Sequence, residues 1–246
     1  MSGNPVRANC ARPHHCSADV RMEVMARSPL TRELAVDEHR ELDRHLSAWS
    51  WGEGQPILLA GDEATGSYLV VSGRVRVTRD TIDGRGITVD LAAPGDVIGP
   101  LGTAPAEAVD SAWAMETTCA LYLPADSLAE VVEEHPRLAL ALLRMQQDRL
   151  AQSRERDIGR TTRSVEQRVG AVLRRLDDKL GHRREDGSSL LQIRLRRDDI
   201  AGMAGTTLES ASRAMSKMKR FGLIDSGREW VAIVDHAGLD ELIDRG

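Results

Sequence analysis

The chain has 246 residues, enough for one large or two modest domains, with 41% apolar and 29% charged residues, an ordinary balance for a folded globular protein. Aromatics make up only 3%, so the cores must be built from Leu, Val, Ile, Ala and Met, and no run approaches the roughly 20 apolar residues that cross a bilayer. The net charge of −5 hides a split: residues 163–230 carry 15 basic and 10 acidic side chains, against 18 and 28 in the rest, the pattern of an acidic module joined to one suited to nucleic acid.

Residues 1–35 read as a flexible N-terminal segment, polar and interrupted by Pro5, Pro13 and Pro29, with some helical character from Ser17 to Ala26. Met1 to Val20 has no apolar leader, so a cytoplasmic location is expected. The three cysteines are Cys10, Cys16 and Cys119. An odd count in a reducing compartment argues against a disulfide framework and leaves free thiols, a metal or cluster site, or a redox switch. Val36 to Trp49 reads as a short amphipathic helix.

From Trp51 to Leu123 glycines punctuate short apolar runs: Ile57–Leu59, Tyr68–Val71, Val75–Val77, Ile87–Leu91, Val97–Ile98 and Ala120–Leu123. Asp83-Gly84 is a hairpin signal, and Gly61-Asp62 and Pro94-Gly95-Asp96 mark further corners. Many short strands with regular turns predict an antiparallel roll over 36–135. Asp126-Ser127 can cap a helix to about Glu134. Pro136 then sits where a long helix over 136–162 begins. Its first half is apolar almost all round, and Leu143 and Leu150 are one heptad apart, which suits a dimer seam. The last region, 163–246, opens with a helix from Ser164 to Gly181, followed by a strand-like Leu190 to Leu195.

Arg197 to Gly222 carries the functional signal. A helix-turn-helix needs a small residue where its helices cross and a turn residue tolerant of unusual φ, and Ala201 and Gly205 fill those roles. Ile200, Leu208, Ala211, Met215 and Met218 are the expected buried positions, and Thr206 with Glu209 fits a capping box. The second helix then turns Glu209, Ser212 and Arg213 outward to base edges, and Ser216, Lys217, Lys219 and Arg220 toward phosphates. Leu223-Ile224 and Trp230–Val234 flank a turn at 225–228, a wing that offers Arg228 to the backbone. The candidate DNA-binding set is Thr206, Thr207, Glu209, Ser212, Arg213, Ser216, Lys217, Arg220 and Arg228. The sequence contains no Walker A loop, HExxH, GxSxG or dinucleotide glycine fingerprint, which argues against an enzyme.

Over about residues 36–235 the chain resembles the CRP/FNR family of transcription regulators. The resemblance rests on Gly61-Asp62, Ser72-Gly-Arg-Val75, Pro94-Gly95-Asp96, Ala114-Met-Glu-Thr-Thr118 and the bihelical motif. It implies an α+β architecture: a cyclic-nucleotide-binding-like β-roll, a dimerisation helix and a C-terminal winged helix-turn-helix. Glu209-x-x-Ser212-Arg213 looks like the FNR subgroup's recognition helix, implying a palindrome of TTGAT-like half-sites. A homodimer on double-stranded operator DNA, RNA polymerase as a partner and no membrane are implied likewise.

Cyclic-AMP-binding members carry Gly-Glu and Arg-Ser pairs. Here the matching stretches read Val97-Ile-Gly-Pro100 and Val109-Asp-Ser-Ala112, and Asp110 in place of the Arg argues against cyclic AMP. FNR-like members hold a [4Fe-4S] cluster on four cysteines. Cys10, Cys16 and Cys119 match that set in part, with His14 or His15 as an imidazole substitute for the fourth. Another metal, a thiol switch or no cofactor stay open beside it. The alternative function is an effector-binding or structural protein that keeps the fold without specific DNA recognition. Salt dependence of duplex binding separates the two.

Overall fold

A computed structural model describes residues 11–81 and 86–244. The chain falls into two compact units, one holding most of the residues up to Leu150 and the other running from Ala151 onward.

The first unit opens with β1 (Arg12–Pro13), α1 (Ala18–Arg27) and α2 (Val36–Asp43). Ser17 caps α1, its hydroxyl accepting the Val20 N–H. The strands follow: β2 (Ser47–Trp51), β3 (Pro56–Leu58), β4 (Glu63–Ala64), β5 (Gly66–Ser72), β6 (Val75–Asp80), β7 (Gly86–Ala92), β8 (Val97–Ile98), β9 (Ala106–Glu107), β10 (Ser111–Ala114) and β11 (Thr118–Pro124). They form a five-stranded sheet in the order β1-β2-β11-β5-β8, a four-stranded sheet β3-β10-β6-β7 and the small pair β4-β9. Every strand pairing is antiparallel.

The central strands β5 and β11 are buried on both faces, and their period of two divides the core in half. Tyr68, Val70, Ala120 and Tyr122 point to the sheet–sheet side with Trp51, Val75 and Ala112. Leu69, Val71, Cys119, Leu121 and Leu123 point to the other side, where they meet Val24, Met25 and Leu42 of α1 and α2. Two aromatic contacts order the first side: Trp51 stands edge-on to Tyr68 at 5.6 Å, and Tyr68 lies 5.1 Å from Tyr122. The β5–β6 turn uses Gly73 at φ +80°, where a Cβ would stand 2.6 Å from the Thr117 carbonyl oxygen, so only glycine fits.

Then come α3 (Ala125–Glu134) and α4 (Pro136–Thr162), a 27-residue helix that starts on its proline. Leu138 and Ala141 of α4 are buried, while Leu140, Leu143, Leu150 and Ile158 are exposed.

In the second unit, α5 (Val165–Leu180) is closed by the Ser164–Gln167 capping box and buries Val169, Val172, Leu173 and Leu176. A four-stranded sheet in the order β12-β13-β15-β14 is built from β12 (His182–Arg183), β13 (Ser189–Leu191), β14 (Ile224–Ser226) and β15 (Val231–Ile233). Between β13 and β14 lie α6 (Arg197–Ala204) and α7 (Leu208–Arg220), and α8 (His236–Asp244) follows β15. Gly170 of α5 lets α8 pack close, since a Cβ there would come within 3.2 Å of Ile243.

Several local expectations are corrected. The helix expected over Val36–Trp49 stops at Asp43, and Ser47–Trp51 pairs with β11 instead. A tryptophan-rich alternating segment beside a central strand gains more from cross-strand packing than from one more helical turn. Asp126-Ser127 does not cap α3; Pro124 precedes it with no side-chain cap. The strand expected over Leu190–Leu195 ends at Leu191, although Ile193 and Leu195 are still buried. The helical character read over Ser17–Ala26 is present as α1, whereas Cys16, Val24 and Met25, in the segment expected to be flexible, lie in the core. The Asp83-Gly84 turn and Cys10 lie outside the described residues.

Candidate nucleic-acid interface

The bihelical corner is set by its turn. Gly205 adopts φ +60°, ψ +47°, the left-handed conformation that costs a side chain free energy. Its N–H bonds to Gly202 O (3.1 Å), and the Thr206 N–H bonds to Ala201 O (2.9 Å). This pair of bonds satisfies the last carbonyls of α6. Thr207 then caps α7, its hydroxyl accepting the Ser210 N–H at 3.2 Å. The cap is therefore one residue later than the Thr206–Glu209 box expected from the sequence. Glu209 reaches Arg213, one turn on, at 2.5 Å instead.

Ala211, Ala214, Met215 and Met218 form the buried stripe of α7, the i, i+3, i+4, i+7 spacing of a helix seated on a core. Ile200 of α6 is buried, as expected. Leu208, expected in the core, is 51% exposed, because it is the first residue of α7 and precedes the turn that carries the stripe.

On the opposite side Thr207, Glu209, Arg213, Ser216, Lys217 and Arg220 are exposed, and Thr206 and Ser212 are half-buried. The Arg213 guanidinium donates to Glu209 and, at 3.2 Å, to the Ser210 hydroxyl, so a fork-shaped donor and an acceptor stand side by side. Lys217 Nζ lies 3.2 Å from Glu166 of α5, and Lys219 Nζ lies 2.6 Å from Asp225 of the wing. Both carboxyls are held below the ordinary range. For Glu166 the first cause is a backbone hydrogen bond and then Lys217; for Asp225 it is the hydrogen bond from Lys219.

In the wing, β14 and β15 pair Asp225 with Ala232, and Arg228 is exposed at the turn. The sequence reading missed two supports. Arg197 reaches both Met215 of α7 and the Ser226 hydroxyl of the wing (3.3 Å), tying three elements together. Ser210 fell between positions read as outward, and only its spacing of three from Thr207 and from Arg213 pointed to it.

In the β-roll, Asp110 is met by Arg79 through two contacts of 2.7 and 3.1 Å. The hydrogen bond to Asp110 pushes the Arg79 guanidinium above the ordinary arginine value. Arg79 offsets the charge of Asp110, so repulsion of a phosphate by Asp110 alone is weaker than the sequence suggests, and the ion pair engages both side chains.

A four-thiolate iron–sulfur cluster does not fit the donors present. The chain has three cysteines. Cys16 and Cys119 are buried in one core, while His14 and His15 are exposed. Among the described residues no three His, Cys, Asp or Glu side chains gather as a metal set. Also among the described residues, no helix is long and apolar enough to cross a membrane.

Two family models cover these two regions: a cyclic nucleotide-binding domain over residues 49–135 and a Crp-like helix-turn-helix domain over residues 167–242. A β-sheet domain of that kind followed by that bihelical motif defines a DNA-binding transcription regulator.

The cyclic AMP receptor protein of Thermus thermophilus is 31% identical over 89% of this chain and 98% of its own length. An anaerobic regulatory protein of Haemophilus influenzae is 26% identical over 77% and 74%. The structure of FixK2 from Bradyrhizobium japonicum superposes with a TM-score of 0.72 at 24% identity, over 82% of this chain and 98% of that one, and so shares the fold. The chain belongs to the CRP/FNR family of transcription regulators.

Proposed function

We propose that this family member is a homodimer that reads a palindromic operator through α7 and responds to a redox signal rather than to a cyclic nucleotide. The observation that carries the DNA reading is the two-sidedness of α7: Ala211, Met215 and Met218 are buried, while Glu209 and Arg213 are exposed on the other side. Arg213 is the base-reading donor, with the geometry for two hydrogen bonds to guanine, and Glu209 accepts from a cytosine amino group. Thr206, Thr207, Ser216, Lys217, Arg220 and Arg228 hold the backbone, and Ser212 approaches the bases. RNA polymerase follows as a partner from the family.

The dimer reading draws on the exposed Leu140, Leu143, Leu150 and Ile158 of α4, a row of apolar side chains on one helix. The redox reading draws on the buried thiols and on relatives named as anaerobic regulators. One relative is named for cyclic AMP, but here Asp110, bound to Arg79, occupies the position where the resemblance puts a phosphate-binding Arg.

The test is a gel-shift series on duplexes carrying a TTGAT palindrome and single-base variants of it. Arg213→Ala should lose about 1–3 kcal/mol of discrimination at one base pair, and Lys217→Ala should weaken every duplex alike with a shallower salt slope. Full discrimination retained by Arg213→Ala would remove the assignment.

A further inference from the structure

Two cysteines separated by most of the β-roll meet in one core. β1 places Arg12 opposite Ser50 of β2, and Ser50 in turn lies opposite Cys119 of β11. The His14 N–H still bonds to the Ala48 carbonyl oxygen at 3.0 Å. The chain then turns inward, and Cys16 joins Leu69, Leu121 and Leu123 in the cluster that holds Cys119. Arg21 Nη1 fixes that turn by donating to the Cys16 carbonyl oxygen at 2.7 Å. Both cysteines are 5% exposed and unpaired, they belong to one buried cluster, and Cys16 is near enough to Cys119 to raise its thiol.

We propose that Cys16 and Cys119 form a redox-active dithiol, which a peroxide oxidises to a disulfide that bonds the N-terminal segment to the last strand of the β-roll. The donor set is wrong for a four-thiolate cluster but sufficient for this chemistry, which needs two sulfurs able to approach to about 2.05 Å. A disulfide in a reducing compartment is typically transient and sensory, and the signal read is the oxidant.

The two sulfurs are not equivalent. Burial pushes the Cys119 thiol up to about 12, with Cys16 beside it adding to the effect, so Cys119 keeps its proton; Cys16 follows the exposed His14 and His15 and is the sulfur placed to meet the oxidant first. The Cys16 sulfur bonds one oxygen of hydrogen peroxide as the O–O bond breaks, and the departing oxygen takes the thiol proton and leaves as water. The Cys119 sulfur then attacks the Cys16 sulfenic acid. The S–S bond forms, the S–O bond breaks, and the hydroxyl leaves as a second water with the Cys119 proton. Two thiols lose two electrons, and the peroxide takes them. Burial selects a small, neutral oxidant over a bulky or charged one.

The experiment uses the full chain, reduced, treated with hydrogen peroxide and then unfolded in an alkylating agent before peptide mass spectrometry. Arg12 precedes Pro13, so trypsin leaves Cys10 and Cys16 on one peptide, and the Cys10→Ser variant assigns the partner. The expected result is a Cys16–Cys119 cross-link in the wild-type and Cys10→Ser chains, removed by dithiothreitol and absent from Cys16→Ser. The idea is overturned if Cys10→Ser abolishes the cross-link, or if both thiols are still fully alkylated after peroxide. Should Cys16→Ser not fold by circular dichroism, the mapped cross-link in Cys10→Ser decides alone. DNA binding is not read, so failure of the operator assignment leaves this test intact.

Discussion

Arg213 presents its guanidinium already flanked by Glu209 and the Ser210 hydroxyl. A flexible side chain held before it meets its target loses less freedom on binding. Lys217 is in the opposite position: its ammonium is engaged by Glu166, and a phosphate must compete for it. Glu166→Gln should therefore strengthen binding to every duplex, with a steeper salt dependence by about one phosphate contact. Titration of binding against salt checks this; an unchanged slope counts against Lys217 as a phosphate contact. The pH sign follows from the lowered carboxyls of Glu166 and Asp225. Their contribution to stability is complete above the unfolded carboxylate value of ~4 and is lost as pH falls through their lower folded values. The melting temperature of the Glu166→Gln chain should fall less than wild type in acid and match its trend at neutral pH.

At the scale of elements, the legible parts were those whose signal is local. The Ser164 cap, the α7 stripe and the start of α4 on Pro136 were readable because caps, prolines and a 3.6-residue period act within one or two turns. β2 was not readable: Ser47–Trp51 continues a helical pattern, and only its pairing with β11 makes it a strand. The α7 cap was misplaced by one residue because Thr206 and Thr207 are both good caps; the left-handed Gly205 decides between them by its position. Of the candidate site, the outward face of α7 was legible from periodicity, whereas the approach of Cys16 to Cys119 depends on sheet register and chain path. Thr207→Ala should cost about 1 kcal/mol of stability, the ordinary value of a lost cap, and Thr206→Ala less than half of that. Chemical denaturation of the two variants distinguishes them. Gly205→Ala should cost about 1–2 kcal/mol through its positive φ, and duplex affinity should fall with it.

Across the whole molecule, the apolar row on α4 is the feature that a second copy would cover. Leu143 is exposed on a helix that already buries Leu138 and Ala141, so the folded chain does not need it for its own core. Leu143→Glu should leave far-ultraviolet circular dichroism unchanged and convert the dimer to a monomer in sedimentation. Affinity for a palindrome should then drop toward that for one half-site, because linked half-sites bind with an effective concentration that separate ones lack. A dimer that survives both Leu143→Glu and Leu150→Glu would place the seam elsewhere.

The two cores of the first unit share a wall only one strand thick. Neighbouring residues of β11, Ala120 and Leu121, back different clusters, as do Val70 and Val71 of β5. A void opened by Leu121→Ala, worth about 2–5 kcal/mol, therefore loosens the backbone that supports Ala120 and Tyr122 on the far side. Neither half can melt while the other stays intact, so heat should take this unit apart in one cooperative step, with calorimetric and van't Hoff enthalpies in agreement.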